Sequence, residues 1–506
     1  MKVTQVISQT MEKWPDQMAV VEKNIRWTYA RLGQESRLLQ ARLRDTELDK
    51  RDRVVVWLKN GSQYIATYLA LLEVDAVVVA IHPDSAISDV LRTIEHAGAA
   101  GIVTTSNLWE RNRDALEKSR LRFAMLPQTT LSVSRSIQMS RSLDGLAQIV
   151  YTSGTTGTPK GVMLSHDNLV TNTRSILARL SLSPSDSVVA TLPFAFAYGN
   201  SVLLTHLFTG AKIVIEGNLM YAHCIVESMK KEGVTGFSGV ASNYAFLLRQ
   251  SGFNEINLPS VRYFTSAGGP MPQGLLGKVR ECFPASDFHV MYGQTEATAR
   301  LTMLAPKDLD RKHGSAGRTV PGVSIKILDE TGEPVPPGKS GEIAVAGANI
   351  MQGYWLDPTA TERRIKNGIL HTGDLGYSDE EGYLFITGRS SEMIKSGGFR
   401  VNPEEIEEVL RDQDGVSDAG VAGVADDLLG EVIVAGVVVQ AARESLEKRL
   451  LAHCASHLSP YKRPQAIYLL AGVPRSANGK ILRLALRERL ESLHRQNTLD
   501  GIGSSR

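Results

Sequence analysis

"YTSGTTGTPKGVMLSH" runs from Tyr151 to His166, and its reading decides what kind of molecule this is. Glycine lets backbone N–H groups turn inward and approach an anion closely, hydroxyls add donors, and a lysine brings full positive charge. The stretch is therefore built to hold phosphate. A Walker A loop places four residues between its first glycine and a Gly-Lys-Ser/Thr ending. Here Gly154 is followed by Gly157, Pro159, Lys160 and Gly161, a spacing that excludes a P-loop nucleotidase. A bare Gly/Ser/Thr linker fits poorly too, because apolar segments flank the loop: "LAQIV" before it and "NLVTNTRSILARL" after it.

Working outward, "DRVVVWLKNGSQYIATYLALLEVDAVVVAIHP" (52–83) gives a β-rich run, a helical segment and a second β-rich run. Such units build doubly wound parallel sheets. "AAGIVTT", "SVVATLP", "AKIVIEG" and "VRYFTSAGG" read as further buried strands. From about Arg318, "GVSIKILDETGEPVPPGKSGEIAVAG" alternates short strands with Gly/Pro turns and predicts a small barrel-like β subdomain. Beyond it, "NPEEIEEVLRD" marks a helix start: Asn402 caps, Pro403 suits the first turn, and Ile406, Val409 and Leu410 make an apolar stripe. Two β-rich runs and the helix "ARESLEKRLLAHCASHL" complete a compact α+β unit. The fold expected is α/β: a large N-terminal domain of doubly wound sheets over residues 1–389, and a small mobile α+β domain over 390–506. The Ser-rich stretch 129–143 reads as a loop.

At 506 residues the chain exceeds what one core usually spans. A 42% hydrophobic share and a net charge of +2 give no footprint for nucleic acid or membrane. The locally basic "KILRLALRERLESLHRQ" reads as the solvated face of a terminal helix. Cys224, Cys282 and Cys454 form no CxxC, so neither a disulfide framework nor a zinc site is indicated. With no apolar leader and no run of transmembrane length, a cytoplasmic protein is expected.

Five stretches then agree. "YTSGTTGTPKG" resembles the phosphate loop of the acyl-adenylate-forming superfamily, which comprises AMP-forming acyl-CoA synthetases, adenylation domains and luciferase. "MYGQTEA" (291–297) is similar to its adenine and magnesium motif. "GEIAVAGANIMQGYW" with "HTGDLG", "GRSSEMIKSGGFRVNPEEIE" and "PRSANGKIL" match its later motifs in order, and the resemblance spans nearly the whole chain, from "RWTYARL" to Leu482.

The resemblance implies a reaction and a set of roles. A carboxylate is a poor electrophile, so the family first converts it to an acyl-AMP at the expense of ATP, and a thiol then displaces AMP. The protein's task is to position anions and neutralise charge. By resemblance, Thr152, Ser153, Gly154, Thr155, Thr156, Gly157 and Lys160 hold the departing pyrophosphate. Met291, Tyr292, Gly293 and Gln294 with Gly268 and Gly269 form the adenine site, the Tyr292 ring stacking on the base. Thr295 contacts the α-phosphate and Glu296 holds Mg²⁺, a hard cation suited to carboxylate and phosphate oxygens. Asp374 accepts the ribose hydroxyls and Arg389 adds a second contact. Lys480 steadies the carboxylate and α-phosphate during adenylation. The small domain then turns about a hinge, bringing Lys395 to the site while Gly397 and Gly398 leave a path for the thiol. The implied cofactors are ATP, Mg²⁺ and CoA, or alternatively the phosphopantetheine of an acyl or peptidyl carrier protein.

Two departures from the pattern matter. Ser391 stands at the hinge, where the family carries Asp or Lys. "ATLPFAFAYGNSVLL" (190–204) has no acidic residue to pair with a substrate ammonium, which argues against an amino acid. Phe196 replaces the histidine of many CoA ligases. Phe196, Tyr198, Val240, Ser266 and Ala267, with Phe194 as pocket or core, suggest an apolar pocket for a fatty or aromatic acid. An inactive scaffold relative is disfavoured, since Thr156, Glu296, Asp374 and Lys480 are all present.

Overall fold

The computed structural model describes the chain apart from residues 47, 128, 134–144, 153–159, 217–221, 251–257, 390–391, 397–398, 427–429, 440–445, 459–461, 477–478 and 504–506. Two compact units divide it. One comprises Met1–Lys326, Ala344–His371 and Asp379–Phe385; the other comprises Ile327–Ile343, Thr372–Ser378 and Ile386–Arg506.

The larger unit carries two sheets. The strand–helix–strand expected at its start forms as Arg53–Trp57, Ser62–Glu73 and Val77–Ala80, the two strands pairing in parallel. Val54, Val55, Val56, Val77, Val78 and Val79 are all fully buried. Burial on both faces explains why these strands read as unbroken apolar runs rather than alternating ones. They sit in an eight-stranded sheet that continues into Leu146–Thr152, antiparallel to Lys160–Ser165, and ends on that side at Gly353–Tyr354. The nine-stranded sheet has a parallel centre in the order Asp287–Tyr292, Tyr263–Ser266, Gly236–Gly239, Ser187–Ala190, Lys212–Ile215 and Met18–Glu22. Strands predicted from "SVVATLP", "AKIVIEG" and "VRYFTSAGG" all lie in it. Aromatic side chains from its strands and from the helices that cover it build its core, with Phe264 5.1 Å from Phe283 and Phe237 5.3 Å from Tyr244, centroid to centroid.

The stretch after Arg318 forms a five-stranded sheet that includes Val323–Leu328 and Gly341–Gly347. The Ser-rich stretch is not wholly a loop: Thr130–Ser132 pairs antiparallel with Phe123–Met125 and closes the edge of the eight-stranded sheet, while residues 134–143 fall outside the described residues.

The smaller unit contains the long ribbon Val416–Asp426 with Gly430–Val439. Against it packs the helix Pro403–Arg411, which begins as its sequence dictates: the Asn402 Oδ1 accepts the Glu404 N–H at 3.0 Å, and Ile406 and Leu410 are fully buried. Arg483 bridges Glu407 and Glu392, and Arg475 holds Asp418. No helix among the described residues is long and apolar enough to cross a membrane.

Candidate active site

Four neighbouring parallel strands of the nine-stranded sheet release the chain at their carboxyl ends, where open α/β sheets bind ligands. From Tyr263–Ser266 the chain runs into Ala267, Gly268 and Gly269; from Asp287–Tyr292 into Gly293–Ala297; from Gly236–Gly239 into Val240; and from Ser187–Ala190 toward Phe196 and Tyr198. Residues up to about a hundred positions apart thus meet along one sheet edge.

The residues expected to line a pocket separate by burial. Phe194 is fully buried, its ring 5.5 Å from Tyr64 and its N–H held by Asn60, so it belongs to the core. Phe196, Tyr198 and Val240 are half-buried. The Phe196 ring stacks on His82 at 5.4 Å, an apolar wall where a family histidine would put a polar edge. Tyr198 opens the helix Ala197–Thr209, and its hydroxyl bonds Thr265 at 2.9 Å. Ser266 is buried, its hydroxyl turned to the Met271 sulfur rather than outward. Gly268 has φ +88°, and a Cβ there would stand 3.3 Å from Val240 Cγ1. Glycine is needed for both the backbone angle and the space. Met291 packs with Ala267, Tyr198, Ile176 and Met303, on the core side of the adenine motif.

The Glu296 loop is held under strain. Thr298, a β-branched residue, sits at φ +70°, a conformation costing about 1–3 kcal/mol that persists only where surroundings over-determine it. They do so here. The Met351 N–H bonds the Glu296 carbonyl at 2.9 Å, Asn349 Nδ2 bonds the Ala297 carbonyl at 3.0 Å, and Thr298 Oγ1 donates to the Asn349 carbonyl at 2.6 Å. Gly293 allows the fold-back: a Cβ on it would lie 1.7 Å from the Ala299 carbonyl oxygen. Thr295 and Glu296 lie in the short 3₁₀ turn that results, both half-buried.

Tyr354, which the motif "GYW" contained but to which no role attached, links the Glu296 loop to Lys160. Its hydroxyl donates to Glu296 Oε1 at 2.8 Å, and Lys160 Nζ stands 5.0 Å from its ring centroid. Burial and the Glu296 carboxylate both raise its pKa, so it stays a donor. Gly353–Tyr354 pairs with Val162 and Met163, next to the phosphate-loop lysine. The loop's own Ser153, Gly154, Thr155, Thr156 and Gly157 lie outside the described residues; Thr152 and Lys160 face each other across the hairpin that carries it. One half-buried carboxylate, held by the Tyr354 hydroxyl, suits Mg²⁺, which is usually held by one or two carboxylates plus substrate phosphates.

Within the smaller unit, Arg389 Nε pairs with Asp374 Oδ1 at 2.8 Å, and Asp374 is nearly buried. Thr372 Oγ1 accepts the Asp374 N–H at 3.1 Å, fixing the "TGD" turn. Lys480 is exposed on a tight turn closed by Ser476 N–H to Lys480 C=O at 2.8 Å, with Gly479 at φ +75°. Lys395 lies mid-strand in Ile394–Ser396, paired with Arg400; Gly397, Gly398 and Ser391 lie outside the described residues.

Residues 7–355 match the family model for the AMP-binding enzyme, and residues 405–480 match that for the AMP-binding enzyme C-terminal domain. The chain belongs to the AMP-binding enzyme family. It is 33% identical to a 2-succinylbenzoate–CoA ligase of Bacillus cereus over 96% of this chain and 100% of that protein. Its fold matches the o-succinylbenzoate CoA synthetase of Bacillus subtilis in complex with an acyl-adenylate intermediate, at TM-score 0.85 and 28% identity over 95% of this chain and 97% of that one. ATP-bound MatB from Rhodopseudomonas palustris matches at TM-score 0.86 and 27% identity, covering 97% and 100%. This AMP-binding enzyme is an AMP-forming carboxylic acid–CoA ligase that works with ATP, Mg²⁺ and CoA on a small-molecule acid.

Proposed function

We propose that this ligase activates an aromatic acid of the class that 2-succinylbenzoate represents, and that the sheet-edge pocket receives it. The observation that carries the reading is the half-buried wall of Phe196, Tyr198 and Val240 over a Gly268 floor, beside the Glu296 loop. A flat apolar slot suits a ring, and there is no acidic residue in 190–204 to pair with an ammonium. Full-length identity of 33% to a 2-succinylbenzoate–CoA ligase supports the same class.

In this reading a carboxylate oxygen attacks the α-phosphorus, the bond to pyrophosphate breaks, and acyl-AMP forms. The CoA thiol then attacks the acyl carbon, AMP leaves, and the thioester remains. Glu296, its carboxylate fixed by Tyr354, would hold Mg²⁺, which would neutralise phosphate charge. Thr295, Thr152, Lys160 and the intervening loop contact phosphates, and Tyr292 with Met291, Gln294, Gly293, Gly268 and Gly269 frames the base. Asp374 with Arg389 takes the ribose. Lys480 serves adenylation, and a turn of the domain 390–506 about Ser391 exchanges it for Lys395 and the path past Gly397 and Gly398. Dependence on ATP and CoA, together with three free thiols, Cys224, Cys282 and Cys454, fits a cytoplasmic setting.

The test is a mass-spectrometric product assay with ATP, Mg²⁺ and a panel of fatty, aryl and amino acids, each with and without CoA. An aryl-CoA ester is the expected product. Acyl-AMP that accumulates beside CoA without an ester would transfer the reading to a carrier-protein acceptor, and absence of AMP with every acid would defeat it.

A further inference from the structure

His96, in the last turn of the helix Ile87–Ala97, is met by side chains from both flanks of the phosphate loop. On the entry side, the Tyr151 hydroxyl shares a 2.8 Å hydrogen bond with His96 Nδ1, and the two rings meet edge to face with centroids 5.7 Å apart. Burial raises the Tyr151 pKa, so the hydroxyl keeps its proton. On the exit side, Trp355 Nε1 donates to the His96 carbonyl at 3.0 Å, while the Trp355 N–H donates to the Gly161 carbonyl at 2.7 Å. Tyr151 and Gly161 face each other across the hairpin, and Thr152 and Lys160 form the next pair, the last described before residues 153–159.

This end of the hairpin needs such support. Pairing with the strand Val77–Ala80 stops at Val150, and pairing with Gly353–Tyr354 stops at Val162. Beyond those points the two strands are laddered only to each other, and a lone two-stranded ribbon is marginal in water. The helix end that steadies them is itself fixed. Arg53 Nε and Nη2 donate to the Ala97 and Gly98 carbonyls at 3.0 and 2.6 Å, and the Arg53 guanidinium carbon lies 5.6 Å from the centroid of the buried Trp355 ring. Gly161 permits the close approach: a Cβ there would stand 3.2 Å from Trp355 Cβ and 3.3 Å from Tyr151 Cζ.

We propose that His96 is a positioning residue for pyrophosphate release: through Tyr151 and Trp355 it holds Thr152 and Lys160 where the β- and γ-phosphates bind. The inference rests on the phosphate-loop reading of Thr152 and Lys160 and adds what keeps the stem of that loop in place. AMP lacks the phosphates that the stem presents itself to, so loosening the stem should weaken ATP and spare AMP. A merely structural role would not separate the two nucleotides.

Titration calorimetry of MgATP and of AMP into the full chain, without acid or CoA, tests it. Tyr151→Phe keeps the ring and removes the shared bond. It should weaken MgATP about two- to tenfold, the contribution of one neutral hydrogen bond, and leave AMP within about twofold. His96→Leu should do the same, and the double variant should lose no more than the larger single loss, because both changes act through one bond. His96→Gln, which can still bond the hydroxyl, should recover part of the affinity. Unchanged MgATP affinity in both single variants, equal losses for MgATP and AMP, or additive losses in the double variant would each overturn the proposal. If His96→Leu does not fold, the MgATP-to-AMP ratio of Tyr151→Phe decides alone. Lys160→Ala separates this inference from the reading beneath it. Full MgATP affinity in Lys160→Ala would remove the phosphate-loop role and the inference together, whereas a loss there beside an unaffected Tyr151→Phe would remove the inference alone.

Discussion

Replacing Tyr354 by Phe removes one hydroxyl and leaves the ring. The ring contact with Lys160 at 5.0 Å and the backbone pairing to Val162 and Met163 should survive. The donor to Glu296 Oε1 at 2.8 Å is what disappears. A hydrogen bond to a charged acceptor contributes about 1.5–3 kcal/mol. Glu296 is half-buried, so water recovers part of that on the carboxylate side, and a net loss of about 1–2 kcal/mol is expected. Because the bond restrains the carboxylate that would meet Mg²⁺, the loss should appear as roughly a five- to thirtyfold rise in the Mg²⁺ concentration needed for half-maximal ATP binding. Calorimetric titration of MgATP into the protein, without acid or CoA, reads this apart from turnover. Unfolding midpoints should move little, since the ring stays in place. Unchanged or tighter Mg²⁺ dependence in Tyr354→Phe would refute the reasoning, because it would mean that the tyrosine competes with the metal instead of presenting its ligand.

Asn349→Ala should lower stability by about 1–3 kcal/mol in a urea melt, since it orphans the buried Ala297 carbonyl and loosens the strained Thr298 turn; an effect below 0.5 kcal/mol would show that the strain is held elsewhere. His206 is buried, with Nδ1–H donating to the Val202 carbonyl and Nε2 accepting from Tyr263, and its pKa is lowered to about 4. The folded state therefore binds fewer protons than the unfolded one between pH 6.5 and 4. Its contribution to stability is complete above pH 6.5 and declines as pH falls, by up to about 1.4 kcal/mol per unit. His206→Gln should flatten that part of a stability-versus-pH curve, and an unaltered slope would assign it to other groups. Asp374→Asn should weaken ATP binding about tenfold or more by removing a nearly buried charge from the Arg389 pair, measured by competition with a fluorescent nucleotide. Lys480→Ala should slow acyl-AMP formation by about two to three orders of magnitude while sparing thioester formation from supplied acyl-AMP; equal losses in both steps would contradict the division of labour.

Much of this protein is local, and local features are legible in a sequence. Apolar runs such as 53–57 and 77–80 became buried parallel strands because burial on both faces demands unbroken apolarity. Asn402 and Pro403 set a helix start through their own backbone chemistry. The motif order named the family, and the candidate nucleotide residues came with it. Whether a side chain faces the core, a pocket or a partner far along the chain depends on which elements pack against it, and no residue encodes that alone. Phe194 and Phe196 are two positions apart and chemically alike, yet one fills the core against Tyr64 and the other, half-buried, stacks on His82. Tyr354 reaches Glu296 across 58 positions because its bridge to Val162 and the Met351 bond to the Glu296 carbonyl bring the segments together. An arginine is ordinarily found at the surface. Only the packing of its loop against the Ala197–Thr209 helix buries Arg300 against the Tyr198 ring. Periodicity, caps and motifs specified the frame; the pairing of distant side chains, which follows from closing that frame into a packed body, decided the site.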